Sequence, residues 1–389
     1  MKKFEQYLKE AEEAEAKVKP ENEQDPYTGK IHKAEDSNDE KGEERDAHYD
    51  DLRTGAETLK QIINLPYDQF IQKLTGKTPP TEGEAVADID PKVTKVLSLG
   101  KSDLKLEDEK VPVNDKAVIA VKNLFPTQAQ IGLLDSIGFV AFVMPEAAKN
   151  PLSGQANFKG ERILTANSKY ILDGHHRWSQ TYIINPDATI PALDLTLKVS
   201  NEKEMLKVIQ MAIASTYGKI AMKAANATTD IYNDSIIKKW NTEYKVEGDT
   251  TLGLVKAIFE GKCGIPKGGD IKNVEKFVEV IKEAKGLKDK EEVEKYLAKN
   301  ADQLRSTTKS AAEGAPARAI MPQPGDTAKA VGKGDGEKIA GIPADFVNKL
   351  SSGQLNFKPN FLPNTSPETT EKATKESRYV KTFEQFRKK

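Results

Sequence analysis

The segment Tyr170–Trp178 gathers more chemistry-bearing side chains than other stretches of this 389-residue chain. An acid, two imidazoles and a guanidinium follow an apolar run, as Asp173, His175, His176 and Arg177. The chain has four histidines, so this single dipeptide holds half of them. Imidazoles beside a guanidinium supply hydrogen-bond donors and positive charge, which is the chemistry that binds phosphate groups. The segment is therefore the first candidate for a functional site.

The flanking pattern places this cluster where a strand ends and a helix begins. Apolar residues up to Leu172 predict the strand, and the pattern from Gly174 onward predicts the helix. The first N–H groups of a helix have no intrahelical acceptors and lie at the positive end of its dipole, so they bind anions. Gly174 would let a ligand oxygen approach closely, and Arg177 can bind a phosphate through two N–H groups. We therefore predict phosphate binding by Gly174, His175, His176 and Arg177.

Asp173 has two interpretations, and its position leaves both open. It could hold Mg²⁺ or accept a proton from an attacking hydroxyl, or it could cap the helix by accepting the N–H of His176. Because Asp is a common N-cap, the position alone favours capping.

The histidines also have a structural alternative, in which one packs against the sheet and the other lies on the surface. A zinc site is disfavoured because adjacent residues chelate one metal poorly and no other His or Cys lies nearby.

The composition narrows the function classes. A formal charge of -1 removes the overall basic field that drives sequence-independent nucleic-acid binding, so contact with DNA would have to be local. The single cysteine, Cys263, excludes an internal disulfide and a cysteine-built zinc site, and it fits a reducing cytoplasm. The N-terminus has no signal-peptide core and no apolar run is long enough to cross a bilayer, so we expect a soluble protein with no membrane partner.

The elements that must position the candidate site occupy the middle of the chain. Charged residues make up 31% of the sequence, which predicts solvated segments around a smaller folded core. We expect residues 1–55 to be a disordered acidic tail with a short amphipathic start, and residues 56–110 to form short helices that pack on the core. Strands alternating with helices predict an α/β unit at 111–200, and helical periodicity predicts a helical region at 201–305. Abundant small residues, Pro and Gly predict an extended, low-complexity tail at 306–389.

Hydrophobic periodicity predicts individual elements within the α/β unit. They are a strand at 118–121, a helix at 128–137, a buried strand at 139–143, a hairpin of 162–165 with 170–172, a helix at 174–184 and a strand at 193–199 with one buried face. Upstream of the unit, Pro79, Pro80 and Gly83 predict a loop over 78–90.

The element order resembles that of the ParB/sulfiredoxin superfamily over about Val111–Val199. The residues that carry the resemblance are Phe125–Gln128, which would open the first helix, and Ile171–Arg177, which would open the second. Members include sulfiredoxins, CTP-hydrolysing partition proteins, free-serine kinases and proteins labelled ParB-like nucleases. The Asp-Gly-His-His-Arg form is most similar to the kinase-type and phage-encoded branches. The resemblance implies an α+β fold, with a small mixed-sheet domain, a helical C-terminal region and disordered tails.

The resemblance also implies roles for individual residues, because in that superfamily the turn before the second helix binds nucleotide phosphates. The implied phosphate- and nucleotide-binding residues are Gly174, His175, His176, Arg177, Thr127 and Gln128. The implied catalytic residues are Asp173, His175 and His176, with Asp173 near the metal or the phosphate acceptor. The implied cofactors are a nucleotide, which is ATP, ADP or CTP, and Mg²⁺.

Two departures from the superfamily exclude some of its activities. Sulfiredoxins have a cysteine before the His-Arg pair, and His175 stands there in this chain, so we do not expect sulfinic-acid reduction. Partition proteins use a Gly-Glu-Arg-Arg pattern and a following helix-turn-helix, neither of which is evident here. Centromere binding is therefore not expected.

The N-terminal peptide carries a second resemblance. Met1–Ala11 is similar to the capsid-targeting peptides of internal head proteins in large tailed phages, which are trimmed after a Leu-x-Glu pattern that Leu8-Lys9-Glu10 matches. Part of it, Lys2–Lys9, recurs at the other end as Lys381–Lys388, with the shared form Lys-x-Phe-Glu-Gln-aromatic-x-Lys. The alternative is the start of an ordinary amphipathic helix. The phage resemblance implies capsid or scaffold proteins as partners.

Three hypotheses follow for the function. The leading one is a phage-type nucleotide-binding protein that transfers or hydrolyses phosphate with Mg²⁺, as a phosphotransferase or NTPase. The alternative is a non-enzymatic virion, internal head or DNA-associated protein that keeps the fold and its anion pocket. A ParB-like nuclease is the third, which the acidic balance and the absence of a second carboxylate beside Asp173 in the sequence disfavour. The expected location is the host cytoplasm or the head interior of the virion.

Overall fold

The computed structural model describes residues 40–99, 110–138, 145–199, 201–224, 250–262, 271–333, 337–339 and 341–356, with isolated positions at 141, 238, 242, 243 and 248. The peptide Met1–Ala11 and its echo Lys381–Lys388 lie outside these residues, as does most of the strand predicted at 139–143. Among the described helices, none combines the length and the apolar character needed to cross a membrane.

A five-stranded mixed sheet forms the centre of the fold. Its strands are β2 (Val113–Ala120), β3 (Phe125–Pro126), β4 (Ile163–Ala166), β5 (Tyr170–Asp173) and β6 (Thr189–Leu195). They lie in the order β2-β6-β4-β5-β3, where β2–β6 and β4–β5 are antiparallel and β4–β6 and β3–β5 are parallel. Together with the helices around it, this mixed sheet confirms the predicted α+β class.

A buried carboxylate fixes the hairpin of β4 and β5, which the sequence predicted. Asn167 and Ser168 form its turn with φ angles of 55° and 53°. Asp194, on the neighbouring strand β6, accepts hydrogen bonds from the N–H of Ser168 at 2.9 Å, from its hydroxyl at 2.7 Å and from the hydroxyl of Thr165 at 2.7 Å. The prediction of one buried face for the last strand is wrong, because β6 lies between β2 and β4 and both its faces are covered, so Leu193 and Asp194 are both buried.

Within the α/β unit, the described residues form the α-helices α4 (Leu133–Gly138), α5 (Lys149–Leu152) and α6 (His175–Ile184). The helix predicted at 174–184 is confirmed as α6. The helix predicted at 128–137 begins only at Leu133, so the prediction is wrong for 128–132.

The region before the sheet contains α1 (Glu40–Ile62), α2 (Tyr67–Thr75), β1 (Glu84–Asp88) and α3 (Pro91–Leu97). The predicted disorder of 1–55 is wrong from Glu40 onward, because Leu52 and Ala56 are buried and Asp51 forms an ion pair with Lys95 of α3 at 2.6 Å. The loop predicted over 78–90 is wrong at β1, which pairs antiparallel with a strand far along the chain, β7 (Lys219–Lys223).

The region predicted as helical contains α7 (Glu202–Tyr217), α8 (Thr251–Phe259), α9 (Ile271–Lys285) and α10 (Lys290–Ala312), with β7 between the first two. Local capping explains where three of these helices begin. The side chains of Asn201, Thr250 and Asp289 accept backbone N–H groups of the first turns at 3.1, 3.1 and 2.9 Å. The helical prediction for 201–305 is therefore confirmed for the described helices, and β7 is the exception.

The prediction of an extended tail from residue 306 is wrong as far as residue 356. After α10, the chain forms a 3₁₀ turn (Arg318–Ile320), α11 (Pro324–Ala330), β8 (Lys338–Ile339), β9 (Ile342–Pro343) and α12 (Ala344–Ser351). Ile320, Phe346 and Leu350 are fully or almost fully buried. The composition of the region was misleading, because a few apolar side chains are enough to fix a segment when each of them inserts into a core formed by other segments. Residues 357–389 lie outside the described part.

Helical layers cover both faces of the sheet. Neighbouring residues of β4 point to opposite faces of the sheet and belong to two different apolar cores. Leu164 belongs to the core that includes residues of α1, α2, α7 and α12. Ile163 belongs to the core that includes residues of α6, α8, α9 and α10. Trp178 of α6 is fully buried in the second core, and its indole N–H donates to the carbonyl of Val121 at 2.9 Å. The sheet is thus a rigid support for the turn between β5 and α6.

Candidate functional site

The turn between β5 and α6 requires a glycine for two independent reasons. Gly174 is the N-cap of α6, with φ 98° and ψ 21°, a left-handed conformation that residues with a Cβ rarely adopt. A Cβ at this position would lie 2.5 Å from Cγ2 of Ile163 and 2.8 Å from its Cβ. The sequence suggested that this glycine makes room for a ligand oxygen. The space is instead filled by Ile163, so Gly174 serves the close approach of the turn to β4.

Both imidazoles hold a loop next to the turn. Nε2 of His175 accepts the N–H of Thr127 at 3.1 Å, and Nε2 of His176 accepts the N–H of Gly132 at 3.4 Å. A neutral imidazole that accepts through one nitrogen carries its proton on the other, so Nδ1–H is the donor in each ring. Burial, reinforced by nearby positive charge, lowers the pKa of each histidine to about 3. Both rings are therefore neutral near pH 7.

The loop 127–132 explains why the predicted helix starts late. Its N–H groups at Thr127 and Gly132 bond to the imidazoles, and the N–H of Ala129 donates to the carbonyl of Pro316 at 3.0 Å. The hydroxyl of Thr127 donates to the carbonyl of Ile171, and the amide of Gln128 donates to the carbonyl of Gln130. Apart from the carbonyl of Gln130, these partners lie on β5, α6 and the C-terminal region, and the hydrophobic periodicity of the loop contains no information about them. Thr127 and Gln128 are both buried beside the turn.

Asp173 does not cap α6 in the way that its position suggested. Its Oδ1 accepts the N–H of Gly174 at 2.8 Å, and Gly174, not Asp173, is the N-cap residue of the helix. Burial raises the pKa of Asp173, and the positive charge of Arg177 partly opposes this effect. The negative charge of Asp326 raises the pKa further, so α11 brings a second carboxylate near Asp173 that the sequence did not reveal.

Arg177 makes its hydrogen bonds away from the loop that the imidazoles hold. Its Nη1 donates to the carbonyl of Arg162 at 2.8 Å and to Glu161 at 3.2 Å. The Arg177 side chain is 23% exposed and that of Glu161 is 58% exposed, so this pair is accessible to solvent. All three residues belong to the first turn of α6, but the imidazoles bond to the loop 127–132, whereas the guanidinium of Arg177 bonds to residues 161 and 162.

Two cations near the imidazoles come from regions that the sequence did not connect with the site. The positive charge of Arg318, in the 3₁₀ turn, contributes to lowering the pKa of both imidazoles, and Lys223 at the end of β7 contributes at His176. No local motif marks either residue, because the connection depends on the packing of the C-terminal region on the loop 127–132. The apolar residues of the C-terminal region were the available sequence signal, because their burial indicates that the region packs on the core.

The metal question depends on Asp173. Among the described residues, no three or more His, Cys, Asp or Glu side chains are grouped so that they could hold a metal ion. Mg²⁺ bound to a nucleotide needs only one or two carboxylates, because phosphate oxygens and water complete its coordination. In the turn before α6, Asp173 is the carboxylate that could take this role, through the oxygen that does not accept the N–H of Gly174. No protein-family model, curated protein or solved structure matches the chain.

Proposed function

We propose that this chain is a ParB/sulfiredoxin-like nucleotide-binding protein, in which the start of α6 binds the phosphates of ATP, ADP or CTP together with Mg²⁺. The observation that carries the proposal is the start of α6 itself. This ten-residue helix follows directly from a sheet strand, and its N-cap is Gly174, a residue without a side chain that could accept the first N–H groups. Such donors attract an anion because they have no intrahelical acceptors and lie at the positive end of the helix dipole.

The imidazoles contribute to this site as neutral groups. Since each pKa is about 3, neither ring adds positive charge at neutral pH, and each Nε2 already accepts a backbone N–H. We infer that His175 and His176 position the loop 127–132, and that any phosphate contact they make is through Nδ1–H. This assignment gives His175 and His176 positioning roles in place of the catalytic roles that the resemblance implied.

Arg177 and Asp173 carry the charge-dependent steps in the proposal. The exposed ion pair between Arg177 and Glu161 contributes little stability, so a phosphate can displace Glu161 at small cost. Asp173 would hold Mg²⁺ or accept the proton of an attacking hydroxyl or water. In that step the attacking oxygen bonds to the terminal phosphorus while the bond from phosphorus to the bridging oxygen breaks, and the shortened nucleotide leaves with that oxygen.

Thermal denaturation with ATP, ADP and CTP, each with and without Mg²⁺, tests the proposal. A ligand at 100 times its Kd should stabilise the fold by about 2.7 kcal/mol, which gives a clear rise in Tm. Arg177→Gln and Asp173→Asn separate binding from turnover. We expect Arg177→Gln to reduce the rise in Tm, and Asp173→Asn to keep most of it while losing phosphate release.

Arg53→Ala is the matched control, because Arg53 also forms an exposed ion pair, with Asp50 on α1. It should respond to nucleotide as the wild type does. The proposal is wrong if none of the three nucleotides raises the Tm, or if Arg177→Gln responds like the control.

A second candidate function is a non-enzymatic virion protein that keeps the anion site, located in the phage head rather than free in the host cytoplasm. The pattern Leu8-Lys9-Glu10 favours it, with capsid or scaffold proteins as partners and DNA as a further one. Mass spectrometry of purified particles tests it. The expected result is a chain that begins at Ala11, in particles where no nucleotide hydrolysis is measured. Absence of the chain from particles would exclude this candidate.

A further inference from the structure

The 3₁₀ turn at Arg318 is fixed against both the core and the site. The carbonyl of Ile320 accepts the hydroxyl of Tyr67 at 2.7 Å and the amide of Gln210 at 2.9 Å, and both donors are buried. On its other side, the N–H of Arg318 donates to Oε1 of Gln130 at 3.3 Å. The backbone therefore places Arg318 against the same loop whose N–H groups bond to the imidazoles.

Although the positive charge of Arg318 acts to lower the pKa of Glu84 and of Asp173, its guanidinium forms no direct ion pair with a carboxylate among the residues that the structure describes. This is unlike Arg53 and Arg177, whose guanidinium groups pair with Asp50 at 2.7 Å and with Glu161 at 3.2 Å. Arg318 is only partly exposed. Because no direct ion pair occupies its N–H donors, this partly buried guanidinium is available to an anionic ligand.

Lys223 adds a second cation in the same neighbourhood. It ends β7, pairs with Glu84 at 2.7 Å and lies 3.9 Å from Asp326 of α11. The hydroxyl of Thr327, the next residue, accepts the N–H of Ala221, so α11 is joined directly to β7. Positive charge thus comes from β7 and the 3₁₀ turn, on segments separate from the start of α6.

We propose that Arg318, with Lys223 beside it, binds the terminal phosphate of the nucleotide, so that the site selects di- and triphosphates over monophosphates. This inference rests on the proposed function. The α6 N–H groups would bind the phosphate nearer the nucleoside, and Arg318 would bind the phosphate farther along the chain. The imidazoles are neutral, so they add no charge of their own to this site.

Isothermal titration calorimetry of the full chain with ATP, ADP, AMP and inorganic phosphate tests this selection. We expect Arg318→Ala to weaken ATP and ADP binding about 10- to 100-fold, since a hydrogen bond to a charged group contributes about 1.5–3 kcal/mol. AMP binding should change less than about 3-fold on the same grounds. Arg318→Lys should recover part of the lost affinity, because it restores the charge without the planar fork.

Lys338→Ala is the charge-matched control, since Lys338 is an exposed residue of β8 in the same C-terminal region. Arg318→Gln keeps most of the side-chain stem, and its Tm without nucleotide should match that of the wild type because the turn is held by backbone bonds. If the wild type binds ATP and both Arg318→Ala and Arg318→Gln bind it equally well, the role of Arg318 is excluded while nucleotide binding stands. If the wild type binds none of the ligands, the proposed function itself is wrong.

Discussion

Replacing Gly174 with alanine tests whether the turn before α6 depends on a glycine in the way that the structure indicates. The substitution adds one methyl group in a conformation with φ 98°. Left-handed backbone costs a residue with a Cβ about 1–2 kcal/mol. The new Cβ would also lie 2.5 Å from Cγ2 of Ile163, 2.8 Å from its Cβ and 3.2 Å from its Cα. Rotation of the Ile163 side chain leaves the last two contacts in place, so β4 and α6 must separate.

Overpacking of this kind costs about 1–3 kcal/mol, so the total loss for Gly174→Ala should be about 2–5 kcal/mol. Gly160→Ala isolates the backbone contribution, because Gly160 has φ 82° and a Cβ there would meet nothing within 4 Å. Its expected loss is therefore about 1–2 kcal/mol. Urea denaturation followed by circular dichroism gives both free energies of unfolding. Equal losses for the two variants would refute the close approach of Gly174 to Ile163.

Two further predictions concern pH and the buried carboxylate of β6. The unfolded chain protonates its histidines near the ordinary pKa of 6.5, whereas His175 and His176 have a pKa of about 3 when folded, so stability should fall as the pH drops from 7 towards 4. The loss should reach at most about 1.4 kcal/mol per pH unit for each imidazole, partly offset by the raised pKa of Asp173, and a stability independent of pH between 7 and 5 would contradict neutral, buried rings. Asp194→Ala should cost about 2–4 kcal/mol in urea denaturation because it leaves the buried donors of Thr165 and Ser168 unpaired. Asp187→Ala is its control, since the Asp187 side chain is 81% exposed, and similar losses in both variants would show that the Asp194 hydrogen bonds are unimportant.

The sequence was sufficient to predict elements whose partners are close along the chain. The hairpin of β4 and β5 and the helix α6 follow from local apolar runs and a glycine, and they have the predicted positions. The same signals failed for β1 and β7, because a strand of five residues is recognisable only with its partner, and the whole α/β unit lies between these two in the sequence. Capping residues such as Asn201 and Asp289 mark helix starts because their bonds are local too.

The C-terminal region shows how composition can mislead. Small residues, Pro and Gly between 306 and 335 indicated a tail, yet Ile320, Met321 and Phe346 are buried in the core. The carbonyl of Ile320 receives two side-chain hydrogen bonds from donors on α2 and α7, which no periodicity in the region itself could indicate. When a segment completes a core formed by other helices and strands, the apolar pattern that predicts its burial lies in the sequences of those helices and strands.

The same division between local and distant information governs the candidate site. The motif from Asp173 to Arg177 correctly located a helix start, because that feature is built by neighbours in sequence, although Gly174 and not Asp173 is the N-cap. The same motif did not predict which residues supply the positive charge near the imidazoles. Burial makes both imidazoles neutral, Arg177 bonds to Glu161 and the Arg162 carbonyl, and the cations that act on the imidazoles come from β7 and the 3₁₀ turn. A phosphate site of this design would take its donors from a local turn and its net charge from tertiary packing. Ligand selectivity should therefore change with substitutions in the C-terminal region, while the turn itself sets whether an anion binds at all.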